Sequence, residues 1–166
     1  MAHWGCFLLL FLGLGSLSSS VPRQFHVVKE QKNWTEAQQY CREEFTDLAT
    51  IDNMTEMEKV NHTIHEVSAE NGNRAAWIGL FKQNDAWKWS DGSNSSFRKW
   101  NTGEPNNGDG KEFCTKILNP SGAWNDAGCD HRSHFICYEG ESLSIFSAWN
   151  GQCGQCVTDN IITMSC

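Results

Sequence analysis

Residues 101–129 read NTGEPNNGDGKEFCTKILNPSGAWNDAGC, and the fold is decided in this stretch. Its first part, Asn101 to Gly110, is almost all Asn, Gly, Thr, Asp, Glu and Pro, residues that make turns rather than helices or strands. Glu104, Asn106, Asn107, Asp109 and Glu112 crowd this loop, and Trp124-Asn125-Asp126 adds another amide and carboxylate. Calcium is a hard cation that takes roughly six to eight oxygen ligands of these kinds. A long irregular loop can wrap such an ion, because its side chains obey no helix or strand period. The spacing suits a solvated acidic loop equally well, and it is not the Asp-x-Asp-x-Asp-Gly run of an EF-hand.

Upstream, two segments carry helical patterning. Thr35 with Gln38, and Thr55 with Glu58, have the spacing of a capping box. Ala37, Tyr40, Cys41, Phe45 and Leu48 follow the first at helical period. Met57, Val60, Ile64 and Val67 follow the second, with Asn71-Gly72 as its stop. Both stripes read as core faces. From Ala75 the texture changes. Trp77 to Phe81 is a short apolar run, Trp87-Lys88-Trp89 alternates, and Ser90 to Ser96 is rich in turn residues. Phe113 to Leu118 and Phe135 to Tyr138 look like short strands. Helices followed by strands predict an α+β domain. There is no internal repeat.

The chain has 166 residues, which suits one domain. A net charge of −7 argues against a nucleic-acid partner, which needs a basic footprint, and against an anionic membrane surface. Residues 1–20 contain no Lys, Arg, Asp or Glu, and Phe7 to Leu17 is apolar apart from Gly13, Gly15 and Ser16. Ser18 and Ser20 are small residues placed for cleavage before Val21. Residues 1–20 are therefore expected to be a signal peptide, and the product to be secreted and extracellular. No later stretch is long and apolar enough to span a membrane. The eight cysteines fit an oxidising compartment. Asn33, Asn53, Asn61 and Asn94 each open a glycosylation sequon, whereas Asn119 precedes Pro120 and does not.

Glu104-Pro105-Asn106, Glu112, Cys114, Trp124-Asn125-Asp126, Cys129 and Cys137, in this order, resemble the carbohydrate-recognition domain of C-type lectins. Trp77-Ile78-Gly79-Leu80 looks like that family's central apolar signature, and Cys41 stands where its first cysteine stands. The resemblance runs from Phe25 to Glu139. It implies a C-type lectin-like fold of two helices and small antiparallel sheets, with a long calcium-binding loop, in a domain over residues 21–139. Cysteine arithmetic leaves three pairings open for four cysteines. The resemblance implies Cys41 with Cys137 and Cys114 with Cys129.

By the same resemblance, Glu104, Asn106, Glu112, Asn125 and Asp126 hold Ca2+ and also contact the sugar. Two neighbouring sugar hydroxyls complete the shell, with carboxylates accepting hydrogen bonds from them and amides donating. Pro105 has the family role of a cis proline. Glu before the proline and Asn after it resemble the mannose-type order, which implies mannose, glucose, N-acetylglucosamine or fucose as terminal sugars, on microbial or glycoprotein surfaces. The sequence departs from the family pattern at Phe113, Asn107 and Lys82, where acids of an auxiliary calcium site are expected, so that second site is expected to be missing or weak.

Two rival readings remain. Asp130-His131 and His134 invite a hydrolase or zinc site, but no His-Glu-x-x-His and no nucleophile elbow is present, and no enzyme is expected. A sugar-independent interaction or ice-binding protein on the same scaffold is the other, since fold does not fix function. Residues 140–166 form a cysteine-containing tail without an amphipathic pattern. With Cys6 lost in the expected signal peptide, Cys153, Cys156 and Cys166 are left over from the two bridges, an odd set that suggests a disulfide-linked homo-oligomer.

Overall fold

A computed structural model describes residues 22–71 and 75–140, together with the backbone of 156–158 and 161–163. Residues 1–20, where a signal peptide is expected, lie outside these residues, as do Cys153 and Cys166.

The element order is β1 (Gln24–Lys32), α1 (Trp34–Glu44), β2 (Asp47–Leu48), α2 (Met54–Asn71), β3 (Ala75–Gln83), β4 (Ala86–Trp89), β5 (Glu112–Leu118), β6 (Trp124–Gly128) and β7 (Ser133–Glu139). These strands join in one mixed sheet of seven, in the order β1-β7-β3-β5-β6, with β2 on β7 and β4 on β3. The small antiparallel sheets expected above are thus a single sheet. Its one parallel pairing sets β3 beside β7, Ala76 against His134. The antiparallel pair β1–β7 brings the domain's start to its end, Gln24 facing Glu139. In the tail, β8 (Cys156–Thr158) pairs antiparallel with β9 (Ile161–Thr163).

Both helices are capped two residues before the expected caps. Asn33 caps α1: its Oδ1 accepts from the Glu36 N–H at 2.9 Å, and Glu36 Oε2 accepts from the Asn33 N–H at 3.2 Å. Asn53 caps α2 through one half of that pattern, its Oδ1 accepting from the Glu56 N–H at 3.0 Å, while Glu56 Oε2 accepts from the Asp52 N–H at 2.7 Å. Asparagine ranks above threonine as a cap, and Asn-x-x-Glu has the same spacing as the Thr patterns two residues on. Helix α1 stops at Glu44, so Leu48 belongs to β2 rather than to the helical stripe.

The expected stripes are core, apart from Val67, whose side chain lies outside the described residues. Met57, Val60 and Ile64 pack with Ile78, Leu80 and Trp124, while Ala37 and Cys41 pack with Trp77 and Phe135. Cys41–Cys137 ties α1 to β7 across 96 residues of sequence, and Cys114–Cys129 ties β5 to the turn after β6 across 15. In the chain-entropy model these loops are worth ~4.7 and ~3 kcal/mol. Gly79 lies where backbones meet: a Cβ there would stand 2.9 Å from the Leu48 carbonyl oxygen and 2.7 Å from Ser90 Oγ. The close approach of β2 to β3 therefore requires glycine. The sheet leaves β6 at one edge, and the long loop closes over that strand.

Candidate functional site

The root of the loop is stitched to β6 by backbone. The Trp124 N–H donates to the Lys99 carbonyl and the Asn101 N–H to the Trp124 carbonyl, both at 2.8 Å. Trp100 packs its ring against Trp87, with centroids 4.8 Å apart, and meets Trp124 edge-on at 6.1 Å. The Glu104 N–H then donates to the Asn101 carbonyl at 3.0 Å, and the Glu104–Pro105 peptide is cis, as the resemblance implied.

Asp126 is fully buried and anchors the loop crest. Its Oδ1 accepts from the Asn106 N–H at 3.2 Å and its Oδ2 from the Asn107 N–H at 2.8 Å. Asn106 Nδ2 donates to Glu104 Oε1 at 2.9 Å. Glu112, at the start of β5, accepts from the Gly108 N–H at 2.5 Å, while its own N–H donates to Asn107 Oδ1 at 3.0 Å. A Cβ on Gly108 would stand 3.0 Å from Asn106 Oδ1 and 3.3 Å from Glu112 Oε2, so those two oxygens flank one glycine. Glu104, Asn106, Glu112 and Asp126 are thus brought together. Asn125 is next to Asp126 on β6, half-buried, but its Nδ2 is turned to the Asp126 carbonyl oxygen rather than to the loop.

Charge at the site is unbalanced. Loss of water holds the Glu104 carboxyl above its usual range, and the hydrogen bond and charge of Asp126, then the charge of Glu112, push it the same way. Such a cluster favours a cation or a proton. Among the described residues, no three His, Cys, Asp or Glu side chains form a metal-holding group; the donors here are carboxylates mixed with amides.

Asn107 is the residue that spacing undervalues. It takes a left-handed conformation, φ 48°, and both its N–H and its Oδ1 shape the loop. Its Asn-Gly dipeptide was the available turn signal. Phe113 is 41% exposed, and Lys82 pairs with Asp85 at 3.4 Å. Asp130 and His131 lie on the turn between β6 and β7, not on a strand, and the His131 N–H donates to the Gly128 carbonyl at 3.1 Å.

Comparison with known proteins agrees with this fold. The Lectin C-type domain family model matches residues 30–139. L-selectin of Rattus norvegicus is 31% identical over 144 residues, which cover 82% of this chain but only 37% of that protein's length. C-type lectin lectoxin-Phi1 of Philodryas olfersii is 36% identical over 68% of this chain and 74% of its own. Among solved structures, human lithostathine superposes with a TM-score of 0.65 at 24% identity, covering 72% of this chain and 92% of its own. Herring type II antifreeze protein gives 0.61 at 25% identity, with the same coverages of 72% and 92%. On its fold, its disulfides and the family match, the chain belongs to the C-type lectin domain family.

Proposed function

We propose that this chain is a calcium-dependent lectin that takes terminal sugars of the mannose type: mannose, glucose, N-acetylglucosamine or fucose. The observation that carries the reading is the convergence of side chains on the loop crest: Glu104 and Asp126 both bond Asn106, and Asn106 and Glu112 flank Gly108, with Asn125 next to Asp126 on β6. The side-chain ligand atoms that Glu104, Asn106, Glu112, Asn125 and Asp126 offer a metal are all oxygens, and a hard cation would offset both the lost water and the neighbouring carboxylates that raise Glu104. Calcium supplies a Lewis acid that sugar hydroxyls can join. The chain's residues do the rest: carboxylate oxygens accept the hydroxyl protons, and the amides of Asn106 and Asn125 donate to the hydroxyl oxygens. The test is retention on mannose-agarose with calcium and release by chelator. Retention that ignores chelator would overturn the reading.

The order of acceptor and donor around Pro105 sets the sugar in this reading. Glu104→Gln with Asn106→Asp reverses that order at nearly constant size. The double variant is expected to move from mannose toward galactose on a glycan array, and an unchanged mannose preference would show that the pair does not select. The superposition on an antifreeze protein favours one alternative, a sugar-independent or ice-binding role on this scaffold. Thermal hysteresis without mannose retention would be its signature.

The reading goes with a secreted glycoprotein in which Asn53 and Asn94 carry the glycans. Both are exposed, and capping uses only the Oδ1 of Asn53, leaving Nδ2 for the sugar. Asn61 is half-buried against Gly122; a Cβ there would stand 2.4 Å from its Nδ2. Peptide mapping before and after glycosidase should find Asn53 and Asn94 occupied and Asn61 bare. A fully glycosylated Asn61 in folded protein would refute this. Asn33 is half-buried, and it too caps its helix through Oδ1.

A single sugar site of this kind is weak, and linked sites gain ~10²–10⁴ in avidity. Cys153, Cys156 and Cys166 would supply the link. Non-reducing electrophoresis should show a dimer or larger species that reductant collapses; a monomer under both conditions would exclude it.

A further inference from the structure

Asn107 is followed by Gly108 and lies exposed on the loop in a left-handed conformation, φ 48°. A glycine after asparagine leaves the next backbone nitrogen open to the asparagine amide carbon, because no Cβ stands in the way. Two hydrogen bonds prepare both partners of that reaction. Asn107 Oδ1 accepts from the Glu112 N–H at 3.0 Å, which makes the amide carbon more electrophilic. The Gly108 N–H donates to the Glu112 carboxylate at 2.5 Å, which loosens the proton that this nitrogen must lose. Ring closure requires the Asn107–Gly108 peptide to rotate, and Gly108 and Gly110 (φ 77°) give the backbone that freedom. The neighbouring asparagines lack this arrangement: Asn101 precedes Thr102, and Asn106 precedes Asn107.

We propose that Asn107 is a self-modifying site, which water converts to aspartate and isoaspartate through a cyclic imide with Gly108. The Gly108 nitrogen bonds to Asn107 Cγ, the Cγ–Nδ2 bond breaks, and ammonia leaves with the proton lost from the Gly108 amide. Water then opens the imide. Opening at Cγ gives aspartate with the main chain unchanged; opening at the backbone carbonyl gives isoaspartate, with the main chain rerouted through the side chain. No oxidant or reductant is consumed.

The two products act differently on the loop. Aspartate keeps an oxygen for the Glu112 N–H and adds a negative charge beside Glu104, Glu112 and Asp126. Isoaspartate inserts an extra backbone carbon between the Asn107 N–H, held by Asp126, and the Gly108 N–H, held by Glu112. The spacing of these anchors then fails, and the crest is displaced. The site therefore works as a clock on the loop, whether or not the loop holds a cation.

The test is ageing of the purified full chain in neutral buffer with chelator, followed by tryptic mapping. Cleavage after Lys99 and Lys111 releases residues 100–111, which contain Asn101, Asn106 and Asn107 together. The expected result is the mass shift of an amide-to-acid conversion at Asn107, resolved as two isomeric peptides, while Asn101 and Asn106 stay unconverted. Gly108→Ala should abolish the shift, and Glu112→Gln, which keeps the size but not the charge, should slow it several-fold. An Asn107 that converts no faster than Asn101, or equal rates in either variant, would overturn the proposal.

Discussion

Asp126→Asn should abolish calcium-dependent retention on a mannose column while the chain stays folded. The Asp126 carboxylate is fully buried and receives two backbone N–H groups, from Asn106 and Asn107. An amide offers one oxygen and one NH2 to the same two donors, so one N–H then faces another donor. That mismatch costs about 1–3 kcal/mol, spent mostly in the loop, because Cys114–Cys129 still holds β5 to the end of β6. Supporting groups around metal ligands are typically worth ~10–100-fold in affinity. A residue that anchors the crest and, in the proposed reading, also supplies a ligand oxygen should cost at least the upper end of that range. Column retention and a thermal midpoint taken in chelator separate loss of the site from loss of the fold. The Glu104 carboxyl offers a second readout. With the charge of Asp126 gone, it should move down toward its ordinary range, keeping only the part due to lost water and to Glu112. Full retention by the variant would dissociate Asp126 from the sugar site.

The parts of the molecule legible in the sequence were those with redundant signals. Met57, Val60 and Ile64 announce α2 because three buried apolar residues recur on one face. Trp77 to Leu80 announces β3 because the strand is covered on both sides and reads as an apolar run. Helix caps were misplaced for a local reason: Asn33-Glu36 and Thr35-Gln38 carry the same spacing, and only the fold chooses between them. Strand β1 escaped because it pairs with β7 alone and exposes Lys29, Glu30 and Gln31, which reads as loop. Strand β6 escaped because Asn125 and Asp126 are residue types depleted in strands.

The candidate site divides in the same way. The oxygen-bearing residues proposed to hold calcium can be picked out from motifs, because side-chain chemistry is written in residue type. The backbone that aims those side chains was not. Nothing in the spacing says that Asp126 fastens two successive N–H groups of the crest, or that Asn107 spans from Asp126 to Glu112. These are contacts between segments about twenty residues apart in one case and five in the other, and they exist only once β5 and β6 pair.

Trp124→Ala should be the most damaging single change to stability, at about 3–5 kcal/mol, the usual cost of truncating a buried tryptophan. Trp124 is fully buried, and Trp89, Phe97 and Trp100 meet it edge-on at 5.7, 5.8 and 6.1 Å. Domains are stable by only ~5–15 kcal/mol, so the variant sits near unfolding even with both disulfides closed. Trp124→Phe separates the ring's contribution from that of its polar atom. The buried Nε1–H has no hydrogen-bond partner among the described residues. Phenylalanine therefore loses volume and some edge contact but removes an unpaired donor, and its cost should be only roughly 1–2 kcal/mol. Urea unfolding of the three proteins, disulfides intact, measures the difference. Equal losses for Ala and Phe would mean that the neighbouring rings collapse into the gap. The expected inequality would instead make Trp124 the link from core to site, because its backbone holds Lys99 and Asn101 at the loop's root. On that account Trp124→Ala should also loosen Glu104, and mannose retention should fall at temperatures where the chain is still folded.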